Sequence, residues 1–383
     1  MRSEFKKMMD YCAYCPKMCR FSCPVAEATA KETFTPWGKM EIARWLTDKT
    51  LPLSEAMVAS AYQCTNCLHC QQYCEHDNDV PSALAEIRRM AVENYAAPAP
   101  VYTLEERFAA GNNPYGLDLY EGLRAHWPTV PAKKKKEILF LPSCHTLHYF
   151  PNRVGVYFEL FAKLGIEGVD LIETPIQCCG APLDDLGFRS EFQEVAEVQY
   201  HSLKGYKAVV TDGPECCVTL KQKYAPLGLP LEKSSVSLME FLAPYLSHSN
   251  YRSRGKIKGR LAYHDPAHFS RYLGLIELPR KILTELTGFA PLELSWSGLD
   301  SLSSGAEASY DLVFPDFAEK IAQRTVEEIS SRGIGKLLTA DAKSEAQFRR
   351  LAHGFEVQDF YEFLNDHILP VTEARDVASQ ASP

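Results

Sequence analysis

No stretch of this 383-residue sequence is apolar for the roughly twenty residues that a membrane-spanning helix needs. The N-terminal segment, M-R-S-E-F-K-K-M-M-D, lacks the apolar core of a secretion signal. A cytoplasmic protein is therefore expected, peripheral to a membrane only through a partner. Positive charge is also short: 41 lysines and arginines face 49 aspartates and glutamates, and the net charge of −8 argues against nucleic acid as a ligand. There is no glycine-rich dinucleotide fingerprint, so a flavin or nicotinamide, if used, belongs to a partner. Cysteine is absent from the whole chain beyond Cys217. All thirteen cysteines thus lie before that point, and without an export signal they are not expected to form a disulfide framework.

Two dense runs account for most of them. Cys64, Cys67, Cys70 and Cys74 give C-x2-C-x2-C-x3-C, the spacing with which bacterial ferredoxins hold a [4Fe-4S] cube, followed by Glu75 where that pattern has proline. Upstream, Cys12, Cys15, Cys19 and Cys23 give C-x2-C-x3-C-x3-C followed by Pro24, one spacer being a residue longer. In two-cluster ferredoxins the fourth cysteine of each run ligates the other cluster. The expectation is one cluster on Cys12, Cys15, Cys19 and Cys74, and another on Cys64, Cys67, Cys70 and Cys23. Zinc is the competing metal by number of thiolates, but zinc sites usually set two C-x2-C pairs far apart.

A hydrophobic fraction of 46% with 23% charged residues marks a soluble globular chain. Residues 1–97 read as a helical ferredoxin-like domain, with helices over Lys39–Asp48 (Ile42, Trp45 and Leu46 on one face), Ser54–Gln63 and Ser82–Asn94. Pro98 and Pro100 are expected to end the last of these, and 98–136, with Lys133–Lys136, to be an irregular linker. From Glu137 short apolar strands alternate with helices, the signature of parallel α/β structure: a strand over Ile138–Leu141, a helix over Val154–Leu164 and a strand over Ala208–Thr211. The chain then repeats itself at nearly constant offset. I-L-F-L-P-S-C ending at Cys144 aligns with L-A-Y-H-D-P-A ending at Ala267, C-C-G at Cys178 with S-S-G at Ser303, and the segment ending at Cys216 with that ending at Ser344. Two α/β units are expected, over 137–250 and 251–370, with a polar, disordered tail over 371–383.

In the first unit Cys144 follows a strand, Cys178 and Cys179 occupy a turn closed by Gly180, and Cys216 with Cys217 begins a helix, positions where open α/β sheets present ligands. A helix N-terminus favours the thiolate. Buried cysteines also occur simply as small hydrophobes.

The pattern C-x33-C-C-G-x35-C behind two ferredoxin-type runs resembles the CCG-domain iron-sulfur oxidoreductases. These include the D-type subunit of heterodisulfide reductase, the glycolate oxidase iron-sulfur subunit and the C-type subunit of anaerobic glycerol-3-phosphate dehydrogenase. The resemblance implies a third iron-sulfur centre on Cys144, Cys178, Cys179 and Cys216, cubane or non-cubane, with Cys217 as a candidate fifth ligand. Gly213 stands where the family often has the first cysteine of C-P-x-C. Ala267, Ser303, Ser304 and Ser344 stand where the family's second repeat has cysteines, so that repeat looks like a retained fold with an erased metal site. Its His264, Asp265 and His268 offer a two-histidine metal site or a catalytic pair, or else hydrogen-bond the turn around Pro266. The resemblance further implies single-electron relay between a flavoprotein dehydrogenase or electron-transfer flavoprotein and a quinone or other acceptor, a separate membrane subunit supplying any contact with quinone. Reduction of disulfides at the CCG centre is the alternative.

Overall fold

The computed structural model describes residues 3–126, 137–172, 178–246, 251–253 and 259–370. The linker lysines Lys133–Lys136 and the tail 371–383 lie outside the described residues. The helical region comprises Ser3–Tyr14, Pro24–Thr29, Pro36–Thr47, Glu55–Tyr62 and Val80–Glu93. Pro36–Thr47 starts where Pro36 takes the first turn and the Thr35 hydroxyl accepts from the Gly38 amide at 3.1 Å, satisfying one orphan donor. The helix buries Met40, Ala43 and Leu46. Of the face expected from sequence only Leu46 is fully buried, because the helix packs on two sides and leaves Ile42 and Trp45 half-buried.

The segment after residue 97 differs from the expectation. Ala99–Gly111 and Leu119–His126 are helical. Pro98 and Pro100, expected as terminators, instead occupy the cap and first turn of Ala99–Gly111, where a missing N–H costs nothing.

Beyond residue 137 the first sheet consists of β1 (Ile138–Phe140), β2 (Val169–Leu171), β3 (Ala208–Thr211) and β4 (Ser235–Ser237), all parallel, in the order β2-β1-β3-β4. The helix Arg153–Lys163 connects β1 towards β2, with Gly165 in left-handed conformation (φ 67°) just after it. A short strand, β5 (Arg252–Ser253), precedes the second sheet, which contains β6 (Leu261–His264), β7 (Lys336–Thr339) and β8 (Glu356–Asp359) in parallel order β6-β7-β8. Leu292 adds one parallel bridge beside β6 at Ala262, so the succession 292-β6-β7-β8 follows the order of the first sheet. β9 (Ile368–Leu369) returns antiparallel to β5.

One apolar core runs from Met40, Leu84 and Ile87 of the helical region into Leu139, Phe140 and Val210 of the first sheet. The second unit has its own cluster around Ala262, Val326, Leu337 and Phe348. The two α/β units are joined by Arg153, only 1% exposed, whose guanidinium pairs with both carboxylate oxygens of Glu345 at 2.5 and 2.9 Å and with Glu362 at 3.1 Å. A charge buried this deeply is tolerable only when paired in this way.

Candidate metal centres

In the loop that holds Cys64, Cys67 and Cys70, Asn66 and Leu68 adopt left-handed conformations (φ 53° and 58°) and coil the backbone so that the three sulfurs share one side. Lys17 and Asp77 do the same beside the other cysteines (φ 65° and 51°). Non-glycine residues enter this region at a cost, and four of them beside eight cysteines mark a backbone shaped for something other than its own packing.

The eight sulfurs border two cavities. One is lined by Cys12, Cys15, Cys19 and Cys74, with Cys70, Lys17, Tyr11, Trp37, Tyr73 and His76 also on its wall. The other is lined by Cys23, Cys64, Cys67 and Cys70 together with Lys39. The runs thus cross: Cys74 faces the first three cysteines of the upstream run, and Cys23 those of the downstream run. N–H groups point at the sulfurs, from the Asn78 side-chain amide to Cys12 at 3.3 Å, from the Lys17 backbone to Cys15 at 3.4 Å and from the Asn78 backbone to Cys74 at 3.4 Å.

Burial, followed by the neighbouring sulfurs, pushes the Cys12 thiol up to about 11 and the Cys19 thiol up to about 12. Thiolates crowded in such places require positive charge among them, which iron in a cluster supplies. The sulfurs stand around cavities, and among the described residues no three His, Cys, Asp or Glu side chains close on one point as a single zinc ion would need. The donor set therefore fits an inorganic cluster.

Lys39, expected only as the start of a helix, has a larger part in the fold. It is 2% exposed, and its ammonium lies 3.3 Å from the Cys23 sulfur. Burial opposes its charge, but the thiolates of Cys23, Cys64 and Cys70 outweigh burial and hold the ammonium above the ordinary lysine range. A signal is present in the sequence: Lys39 occupies the apolar stripe with Ala43 and Leu46, where a lysine needs a buried partner. Arg271 is a second such residue, hydrogen-bonding the Cys67 carbonyl through Nε.

In the first α/β unit the cysteines gather at the carboxyl ends of the parallel strands. Cys144 opens the helix Cys144–Tyr149 after β1, capped by the Ser143 hydroxyl accepting from the Thr146 amide at 3.1 Å. Cys178 and Cys179 precede Gly180, whose φ of 84° turns the chain into the helix Ala181–Leu186. Cys216 lies in Pro214–Val218 after β3. Asp212 ties the β1 and β3 ends together, its carboxylate accepting from the Ser143 amide at 2.7 Å. All four thiols are buried, with Cys144 and Cys178 sulfurs 3.6 Å apart and Cys179 and Cys216 sulfurs 3.5 Å apart. The four thiols act on one another: contact with Cys178 draws Cys144 down to about 6, contact with Cys178 and then Cys216 lowers Cys179, and Cys178 and Cys216 are pushed up in turn.

Cys217 stands apart. It is buried, burial pushes its thiol up to about 12, and its charged neighbours are Lys221 and Glu240. A Cβ added at Gly213 would lie 2.7 Å from the Ser143 Cβ and 3.0 Å from the Cys216 sulfur, leaving no room for a cysteine there.

The corresponding residues of the second unit satisfy one another. The Ser344 hydroxyl is 2.9 Å from that of Ser304 and 2.6 Å from the Asp341 carboxylate, and Ser303 hydrogen-bonds Glu307. Ala267 is fully buried. Both nitrogens of His264 are engaged, with Thr339 Oγ1 at 3.2 Å and the Leu302 carbonyl at 3.1 Å. Asp265 is held by both Arg280 terminal nitrogens at 2.8 Å and by the Gly298 amide. Neither a catalytic pair nor a bond across the Pro266 turn describes these two residues; they brace the second sheet against the segments that follow it. His268 stacks on Tyr272, its Nε2 3.9 Å from Glu215. Glu215 in turn pairs with buried Lys343 at 2.5 Å and lies 3.7 Å from His145, whose other nitrogen meets the Tyr115 hydroxyl at 2.7 Å.

Residues 8–78 match the family model of the 4Fe-4S dicluster domain, and residues 138–221 that of the Cysteine-rich domain (CCG). Over 328 residues the chain is 26% identical to the B-type subunit of fumarate reductase (CoM/CoB) from Methanothermobacter marburgensis, covering 84% of this chain and 64% of that protein. It is 23% identical over 344 residues to the D-type subunit of dihydromethanophenazine:CoB-CoM heterodisulfide reductase from Methanosarcina barkeri, covering 84% and 83%. It is 24% identical over 204 residues to lactate utilization protein A of a Geobacillus species, covering 50% and 82%. Among the described residues no helix is long and apolar enough to cross a membrane. The chain thus carries a 4Fe-4S dicluster domain followed by a cysteine-rich CCG domain, and it is similar to the iron-sulfur oxidoreductase subunits of the heterodisulfide reductase D and lactate utilization A type.

Proposed function

We propose that the protein is the electron-transfer subunit of an oxidoreductase complex, relaying single electrons through two [4Fe-4S] clusters and one four-cysteine centre between a flavoprotein and a quinone or other acceptor. The observation that supports this reading is the grouping of the cysteines: Cys12, Cys15, Cys19 and Cys74 border one cavity of the helical region, Cys23, Cys64, Cys67 and Cys70 another, and Cys144, Cys178, Cys179 and Cys216 are buried together beyond the strands of the first sheet. Iron-sulfur centres, when bound, supply reversible one-electron chemistry. The chain's own residues do the rest. Trp37 and Tyr73 line the Cys12 quartet as half-buried rings, N–H groups of Lys17 and Asn78 steady its sulfurs, and Asp212 ties together the strand ends that carry Cys144 and Cys216.

The shared strand order supports reading the second unit as a repeat of the first with its metal site erased. Opening a disulfide takes two electrons and leaves two thiolates that must be stabilised or protonated as they form. Ala267, Ser303, Ser304 and Ser344 provide no second thiolate-bound metal for that work. The test is anaerobic oxidation of viologen-reduced protein by an electron-transfer flavoprotein, run beside a panel of homodisulfides and heterodisulfides. Rapid reoxidation by the flavoprotein without disulfide turnover is expected. Disulfide turnover that disappears in Cys179→Ser would replace the relay with a catalytic reductase.

A further inference from the structure

The two quartets of the helical region lie in opposite electrostatic settings. We propose that Lys39, assisted by Arg271, raises the reduction potential of the cluster on Cys23, Cys64, Cys67 and Cys70 above that of its neighbour, so that an electron shared by the two rests on the inner one. The inference rests on the dicluster reading above and deepens it by ranking the two centres.

The Lys39 ammonium is buried, lines the same cavity as the inner four sulfurs and lies 3.3 Å from one of them. Among the described residues no carboxylate forms an ion pair with it. An isolated buried ammonium is costly, so its counter-charge is the thiolate set itself. Arg271 adds a second cation: it bonds the Cys67 carbonyl through Nε and the Leu299 and Ser301 carbonyls at 2.7 and 2.9 Å through Nη1, while Nη2 is buried without a partner.

The outer quartet has neutral donors instead, the Asn78 amide on Cys12 and two backbone amides on Cys15 and Cys74. Lys17 lines the outer cavity too, but it is only half-buried and its ammonium lies over the Trp37 ring at 3.6 Å, so solvent screens it more than it screens buried Lys39. Reduction adds a negative charge to a centre already surrounded by four thiolates. A fixed buried cation favours that state, and a charge-assisted bond to sulfur is about twice as strong as a neutral one.

The ranking has a direction. The inner loop faces the α/β units, with the Asn66 carbonyl accepting from the Tyr272 hydroxyl at 2.6 Å and the Asn66 amide donating to Asp185 at 3.0 Å. The outer loop carries exposed Tyr14 and Met18. Potential therefore rises from the solvent-facing cluster towards the cluster nearer the CCG site, and Lys39 is the positioning charge that makes it rise.

The experiment is a redox titration of the full, iron-loaded chain, followed by paramagnetic resonance. The two dicluster signals are assigned by which one Cys67→Ser perturbs. Lys39→Met should lower the potential of the inner cluster by a factor of ten or more in its reduction equilibrium, about 59 mV for one electron, and leave the outer one in place. Lys39→Arg should restore most of the shift. Arg271→Gln, which removes a cation outside the helical region, should move the same signal in the same direction and carries the test if Lys39→Met fails to load iron. Unchanged potentials in Lys39→Met and Arg271→Gln, or equal shifts in both clusters, overturn the inference and leave the relay standing. A wild-type chain that takes up no dicluster iron overturns the relay reading itself.

Discussion

Gly213 gives the sharpest perturbation of the third centre. Its backbone is ordinary for any residue, with φ −82° and ψ 115°, so substitution strains no dihedral. The obstacle is steric: a Cβ would come 2.7 Å from the Ser143 Cβ and 3.0 Å from the Cys216 sulfur. Ser143 cannot step back, because its amide donates to Asp212 at 2.7 Å and its hydroxyl caps the helix that begins at Cys144. Gly213→Ala should therefore cost about 1–3 kcal/mol, the usual range for one extra carbon in a packed site. The strain falls on the ends of β1 and β3, pushing Cys144 and Cys216 apart. Anaerobic denaturant unfolding together with paramagnetic resonance is the assay: the third signal should broaden or vanish while both dicluster signals persist. Gly213→Cys should do the same and form no five-thiolate centre. A wild-type midpoint and spectrum in Gly213→Ala, or a new non-cubane signal in Gly213→Cys, would refute the steric argument.

Cys217→Ser should leave the third centre's spectrum nearly unchanged, since the thiol stands apart from the other four, whereas Cys179→Ser should abolish it; both are read by resonance on loaded protein. Cys74→Ser should disturb the cluster that Cys12→Ser disturbs, and a shift in the Cys64→Ser signal instead would undo the crossed arrangement. Arg153→Met removes the bidentate partner of buried Glu345 and leaves it only Arg349, at 2.7 Å, so it should cost about 1.5–3 kcal/mol in denaturant unfolding. Replacing Arg153 and Glu345 together by apolar residues should recover much of that loss.

The dicluster and cysteine-rich domains are legible in the sequence because ligand spacing is a local property, and thiolates separated by two or three residues have few other uses. The strand over Ala208–Thr211 is legible for the same local reason, a β-branched run bounded by turn residues. Pro98 and Pro100 mislead because proline marks a helix boundary without saying which end; only the fold shows that a helix starts there. Lys39 is hard to read because its meaning depends on Cys23 and Cys64, brought to it by tertiary packing. His264 and Asp265 look paired because they are adjacent, yet each is held by residues far along the chain, Thr339 and Leu302 for one and Arg280 for the other. Neighbouring cysteines pose the same problem at Cys216 and Cys217: adjacent residues on a helix face different directions, and only packing shows which thiol joins Cys179.

Whether all three cysteine quartets hold an iron-sulfur centre is read from iron analysis of anaerobically prepared, fully loaded protein. About twelve iron atoms per chain are predicted if each quartet holds a four-iron centre. About eight, with the dicluster signals at full intensity, would leave the cysteine-rich site without a centre and remove it from the relay.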